Sequence, residues 1–205
     1  MKKYVILFLM IMMGYQASSY AQAVDDRAVV PIAVTLNSIL RLNVKSGGNI
    51  EFNFNNLNQY QDGITNTSEY DTKISVASSV NWTLNMGAED DGLLNIDEVS
   101  STPTTMSRTF IAYSVEYTGS RSDQTDYNIL ADFNTPTWSN LPVLNSAADD
   151  IISNAGTNAG GEGQNAFTIH WECGTPNTTG GSLLGSNLTG GRYATNVFFI
   201  LEPTN

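Results

Sequence analysis

His170 is the only histidine in the chain, so any Ser/His/Asp or Cys/His nucleophilic site has to be built around it. Glu172 follows two residues later, and on a strand that spacing puts both side chains on one face. A carboxylate beside an imidazole can polarise a nucleophile. However, the Gly-x-Ser-x-Gly elbow that presents a nucleophilic serine is absent, and Cys173 falls on the opposite face of the same strand. The pair is therefore expected to be an exposed polar pair on a sheet surface. One histidine also falls short of the usual zinc ligand set.

Acidic side chains offer a second chemistry. From Gly87 to Glu98 the spacing partly follows a calcium loop. Glu89, Asp91, Gly92 and Glu98 stand at positions three, five, six and twelve, but position one is Gly87, which brings no carboxylate. An acidic hairpin loop explains the same residues. Asp90-Asp91, Asp97-Glu98 and Asp149-Asp150 are neighbours in sequence, and neighbours on a strand face opposite ways, so nothing marks them as a glycosidase pair. Of the three tryptophans, Trp82 and Trp171 lie on the apolar faces of alternating runs and are expected in the core. Trp138, between Pro136 and Pro142, is the candidate for stacking on a sugar ring. Neither catalysis nor a cofactor is expected. A secreted hydrolase using carboxylates ranks third among the readings.

The elements that must position these residues are strands. Apolar and polar residues alternate at Ile32-Val34-Leu36, Leu40-Leu42-Val44, Ile50-Phe52-Phe54, Val80-Trp82-Leu84-Met86, Ile111-Tyr113-Val115-Tyr117 and Phe167-Ile169-Trp171-Cys173. Alternation of this kind means a strand with one buried face. The last run, Tyr193 to Leu201, also carries Phe198 and Ile200, and it reads as a strand buried on both sides. A short helix is expected near Ser146 to Ser153, and a loop over the Gly- and Asn-rich residues 154–163. Many short strands separated by turn clusters predict an all-β, antiparallel sandwich.

At the N-terminus Lys2 and Lys3 precede an apolar run, and Ala21-Gln22-Ala23 offers a small-x-small cleavage pattern. That is the pattern of a secretory signal peptide over residues 1–23, leaving residues 24–205 as a single sandwich domain. The run is short for a membrane span, which needs about 20 apolar residues, and no later run is long enough. The expected location is secreted, at the bacterial cell surface or in the periplasm. The chain carries a formal charge of −11, so nucleic acid and anionic lipid are poor partners. The single cysteine cannot close a disulfide within the chain and is expected to be a buried, inert thiol. Asn66, Asn81, Asn177 and Asn187 each begin an Asn-x-Ser/Thr sequon, but the Lys-Lys leader looks bacterial, where such sequons carry little meaning.

Three stretches carry a resemblance: Val29-Val30-Pro31-Ile32-Ala33-Val34-Thr35-Leu36, Ser79-Val80-Asn81-Trp82-Thr83-Leu84, and Gly191-Arg192-Tyr193-Ala194-Thr195-Asn196-Val197. Together they resemble chaperone–usher fimbrial subunits and the related spore-coat-U type surface proteins, although the cysteine pair usual in pilins is absent. Trp82-Thr83-Leu84 is also similar to a WxL cell-wall-binding motif, but the second copy reads Trp171-Glu172-Cys173. The fimbrial resemblance implies an adhesive or structural filament subunit. Its partners would be copies of itself, other surface subunits and a periplasmic chaperone. Assembly would proceed by strand donation, with Val30, Ile32, Val34 and Leu36 as the inserted residues. Pro31 cannot donate to a ladder, and the alternative that this run is the first strand of its own sandwich stays open. In a different class, the chain reads as a secreted carbohydrate- or cell-wall-binding module.

Overall fold

The computed structural model describes residues 31–99, 104–144 and 150–204. The chain divides into a unit ending at Leu36 and a unit from Asn37 to Asn205. In the first unit only residues 31–36 are described. They carry no strand pairing, and Ile32, Val34 and Leu36 are 87%, 78% and 90% exposed. Val30 and the expected leader over residues 1–23 lie outside the described residues.

The second unit is an antiparallel β-sandwich. One sheet takes β1 (Leu40–Ser46), β2 (Asp71–Ser78), β6 (Ile111–Tyr117), β8 (Ser139–Asn140) and β10 (Ala166–Cys173), in the order β1-β2-β10-β6-β8. The facing sheet takes β3 (Trp82–Ala88), β7 (Tyr127–Ile129), β9 (Asp150–Asn154) and β12 (Val197–Pro203), in the order β12-β3-β9-β7. A small third sheet joins β4 (Gly92–Asn95), β5 (Thr105–Ser107) and β11 (Tyr193–Ala194). The chain changes sheets between β2 and β3 through Ser79-Val80-Asn81.

Alternation decides what is buried. Ile74, Val76, Val115, Phe167 and Ile169 from the first sheet meet Trp82, Leu84, Met86, Ile151 and Ile152 from the second, all within one continuous core. Trp82 and Trp171 are both buried there, as expected. The Trp82 indole N–H donates to the carbonyl of Asn158 (2.9 Å). The Asn158 amide in turn bonds both the N–H and the carbonyl of Trp82, so a side chain substitutes for a strand neighbour at that point. Rings of Trp82, Tyr117, Tyr127 and Phe167 pack edge-on or tilted at 5.1–6.1 Å.

Two sequence expectations are corrected. The helix expected near Ser146 to Ser153 is not there in its described part: Asp150–Asn154 is β9, whose β-branched Ile151 and Ile152 are fully buried between β3 and β7. Among the described residues one α-helix forms, α1 (Leu57–Asp62), within the polar stretch from Asn55 to Asp71. Its signal is Asn56, whose side chain caps the N–H of Gln59. The final run is also broken. Thr195 and Asn196 separate β11 from β12, and β12 is not buried on both faces, with Phe198 and Ile200 42% and 39% exposed.

Candidate functional site

The unusual feature is a seam along one side of the sandwich, where burial drops by one strand. On β3, Leu84, Met86 and Ala88 are fully buried. Their direct cross-strand partners on β12 are Leu201, Phe199 and Val197, which point to the same interior and are only half-buried. The same drop occurs in the facing sheet. Val76 is fully buried while its partner Leu42 on β1 is half-buried, and Ile74 is 1% exposed while its partner Val44 is 49% exposed. Among the described residues β12 pairs with β3 alone and β1 with β2 alone, so each presents a free backbone edge. The two edge strands approach one another on this side.

The run Ile50–Phe54 deepens the seam. It was expected as a strand, and its in-out alternation holds: Ile50, Phe52 and Phe54 pack on the core, while Glu51 and Asn53 face solvent. It has no ladder on either side. Phe52 stacks on Tyr70 at 4.6 Å, Phe54 tilts against Tyr60 at 5.3 Å, and Glu51 reaches Arg192 at 3.4 Å. Among the described residues side chains hold it in place, and apart from the Asn53 carbonyl, which accepts from the Asn55 amide, its backbone polar groups have no partner there. It leaves β1 through Gly47, at φ +70, where a Cβ would sit 1.9 Å from the Asp71 carbonyl oxygen.

Apolar residues half-exposed in a row, beside strand edges that have no second neighbour among the described residues, are the arrangement that strand addition would need. Main-chain hydrogen bonds would come from the edges, and every second side chain of the incoming segment would enter the core. Reading the sequence strand by strand missed this, because alternation marks which face is inward and says nothing of whether a neighbour covers it.

The other candidates sit elsewhere. His170 and Glu172 were expected on an exposed surface, yet they are 6% and 5% exposed. The loop 131–139 runs beside β6, with Val115 donating to the Ala131 carbonyl and Phe133 donating to the Val115 carbonyl. It then folds over the outer face, where Thr137 accepts a bond from the Ser114 hydroxyl (2.8 Å). Phe133 lies on the His170 ring at 4.1 Å between centroids. Nor do His170 and Glu172 pair. Nδ1 of His170 faces Asp71 Oδ1 at 2.7 Å, and Nε2 faces Glu116 Oε2 at 3.3 Å. Glu172 instead accepts from the Asn66 N–H, the Thr175 hydroxyl and the Asn177 amide. Asp71 and Glu116 carried no sequence signal, because only strand register brings them to His170.

Glu89, Asp91 and Glu98 each have a separate partner: the Asn196 amide, Arg108 and the Thr104 N–H. The Thr104 bond holds the Glu98 carboxyl below its usual range. Among the described residues no three His, Cys, Asp or Glu side chains gather to hold a metal ion. Trp138 is half-buried, with Phe133 edge-on at 6.1 Å. A small cavity of about 90 Å³ lined by Tyr117, Gln124, Tyr127, Ile129, Asp132 and Asn134 does not include Trp138. Cys173 is a buried free thiol, pushed up to about 12 by that burial. Among the described residues no helix is long and apolar enough to cross a membrane. No protein-family model matches the chain, and no curated protein is significantly similar to it.

Proposed function

We propose that the chain is an exported structural or adhesive subunit of a bacterial surface filament, joined to its neighbours by strand addition. The observation that carries this reading is the seam: Val197, Phe199 and Leu201 half-buried against fully buried partners, on a strand with a free edge. A segment able to fill it must be extended and apolar at every second residue. Val30, Ile32, Val34 and Leu36 have that spacing, and the three described among them are exposed and unpaired. The occupant is that segment of a second copy. Pro31 falls between inserted residues, near the start of the segment, where a missing N–H costs least. Export, which the leader predicts, would place such subunits where surface fibres form.

The test is size-exclusion chromatography with negative-stain microscopy, on the chain from Val24 and on a version beginning at Ser38. Long assemblies from the first and monomers from the second are expected. A stable monomer in both removes the reading. If that monomer also shows sugar-dependent tryptophan fluorescence, a saccharide-binding module takes its place.

A further inference from the structure

We propose that the cavity beside β7, floored by Tyr117 and Tyr127 and rimmed by Gln124, Asp132 and Asn134, is a saccharide subsite that takes one edge of a single neutral sugar ring. The inference does not rest on the filament reading. The cavity lies on the β6–β7 side of the sandwich, across the sheets from the β1–β12 side that carries the seam.

Short pieces of chain build the cavity. β6 ends on Tyr117, the turn Gln124–Asp126 leads into β7 with Tyr127 and Ile129, and the chain then runs alongside β6 through Asp132 to Asn134. The two tyrosines form a fixed floor. Their rings lie 5.2 Å apart, and both hydroxyls are already engaged: Tyr117 donates to the Gln164 carbonyl (2.8 Å) and Tyr127 to the Asn165 side chain. The rim is fixed as well. The Asp132 carboxylate accepts the Asn134 N–H (2.9 Å), and the Asp132 backbone is bridged to β6 at Val115. Gln124 stands in a turn capped by Asp123, whose carboxylate accepts the Thr125 N–H (2.9 Å).

What the rim offers selects the ligand. Gln124 and Asn134 are exposed, and among the described residues neither side-chain amide has a hydrogen-bond partner. Each amide both donates and accepts, and the Asp132 carboxylate accepts. A sugar hydroxyl donates and accepts at one oxygen, so neighbouring hydroxyls match two amides beside a carboxylate. The C–H groups of the ring match Ile129 and the faces of the tyrosines. An anion would meet the charge of Asp132. A hydrocarbon would strip water from three polar side chains and return no hydrogen bond. Among the described residues no group of acids gathers there to hold a metal ion. At about 90 Å³ the cavity is well below the roughly 300–1,000 Å³ of a drug-sized site, which limits it to one edge of one ring. Sugar binding and strand addition use opposite sides of the subunit, so a filled seam leaves this cavity open.

The test is saturation-transfer difference NMR on the chain from Val24. The probes are glucose, galactose, mannose, N-acetylglucosamine, fucose and rhamnose, with methylammonium as the cationic control. At least one sugar is expected to bind saturably in the millimolar range. Gln124→Ala combined with Asn134→Ala is expected to weaken that binding at least about tenfold, the scale of lost hydrogen bonds. The unfolding midpoint should stay unchanged, since neither amide bonds to anything among the described residues. Asp132→Asn, which keeps an oxygen for the Asn134 N–H, should weaken binding about tenfold as well, and it decides the matter if the double variant fails to fold. Saturable binding by none of the sugars overturns the proposal. So does sugar binding that these variants leave unchanged, and so does binding of methylammonium alone.

Discussion

Two sides of this sandwich are built from the same residue types and differ in how they end. On the side of β6 and β10, even the outer face is covered: the 131–139 loop closes over Ser114 and His170, and the 175–177 turn closes over Glu172. On the side of β1 and β12, inward-pointing leucines and phenylalanines remain half-wet. Leu84 and Leu201 face each other across one ladder, and the first is fully buried while the second is not. Residue type therefore does not set burial. The number of neighbouring strands does: β3 has one on each side, and β12, among the described residues, has β3 alone.

The sharpest way to break that contrast is to truncate both members of the pair. Leu84→Ala removes a fully buried side chain and is expected to cost about 2–5 kcal/mol. Leu201→Ala, at a position already half-exposed, is expected to cost less than about 2 kcal/mol. Urea unfolding of monomeric protein measures both. Equal losses would mean that the seam is closed in solution.

Filling the seam should reverse part of this difference. A peptide covering residues 28–37, added to the version beginning at Ser38, is expected to raise the unfolding midpoint. At a hundredfold excess over its dissociation constant, the gain is about 2.7 kcal/mol. The same peptide with Val34→Asp should give none, since a carboxylate would enter an apolar pocket unpaired. With peptide bound, Leu201→Ala should become more costly than without it. An unchanged cost would place the peptide somewhere other than against β12.

The contrast also marks what could be read from sequence. Strand existence was readable wherever one face is apolar, as in Trp82-Leu84-Met86 and Phe167-Ile169-Trp171, because alternation is a local property. Sheet membership was not: Asp150–Asn154 looked helical because its pairing partners, Leu84 and Tyr127, lie far away in sequence. Burial of polar residues was equally hidden. His170 and Glu172 have the pattern of a solvent-facing pair, and only a loop some 35 residues upstream covers the histidine. The proposed donor run was visible as a pattern. Its proposed receptor was not, since an open seam is a property of missing neighbours.

The smallest expected effect belongs to the closed side. Cys173 is 2% exposed at the end of β10, where its backbone pairs with Ile64. Burial disfavours the thiolate, which pushes the thiol from its ordinary value near 9 up to about 12. Native protein should therefore resist alkylation at neutral pH, while unfolded protein should react at this one thiol. Above pH 9 the unfolded chain gives up the thiol proton and the folded chain keeps it. Stability from this group is then complete below 9 and is lost as the pH rises toward 12, by about 1.4 kcal/mol at most for each unit. Unfolding midpoints at pH 8 and pH 10 should differ more in the native sequence than in Cys173→Ala. Rapid alkylation of the folded protein would show that this end of β10 opens as readily as the seam, and the division into a closed and an open side would fail.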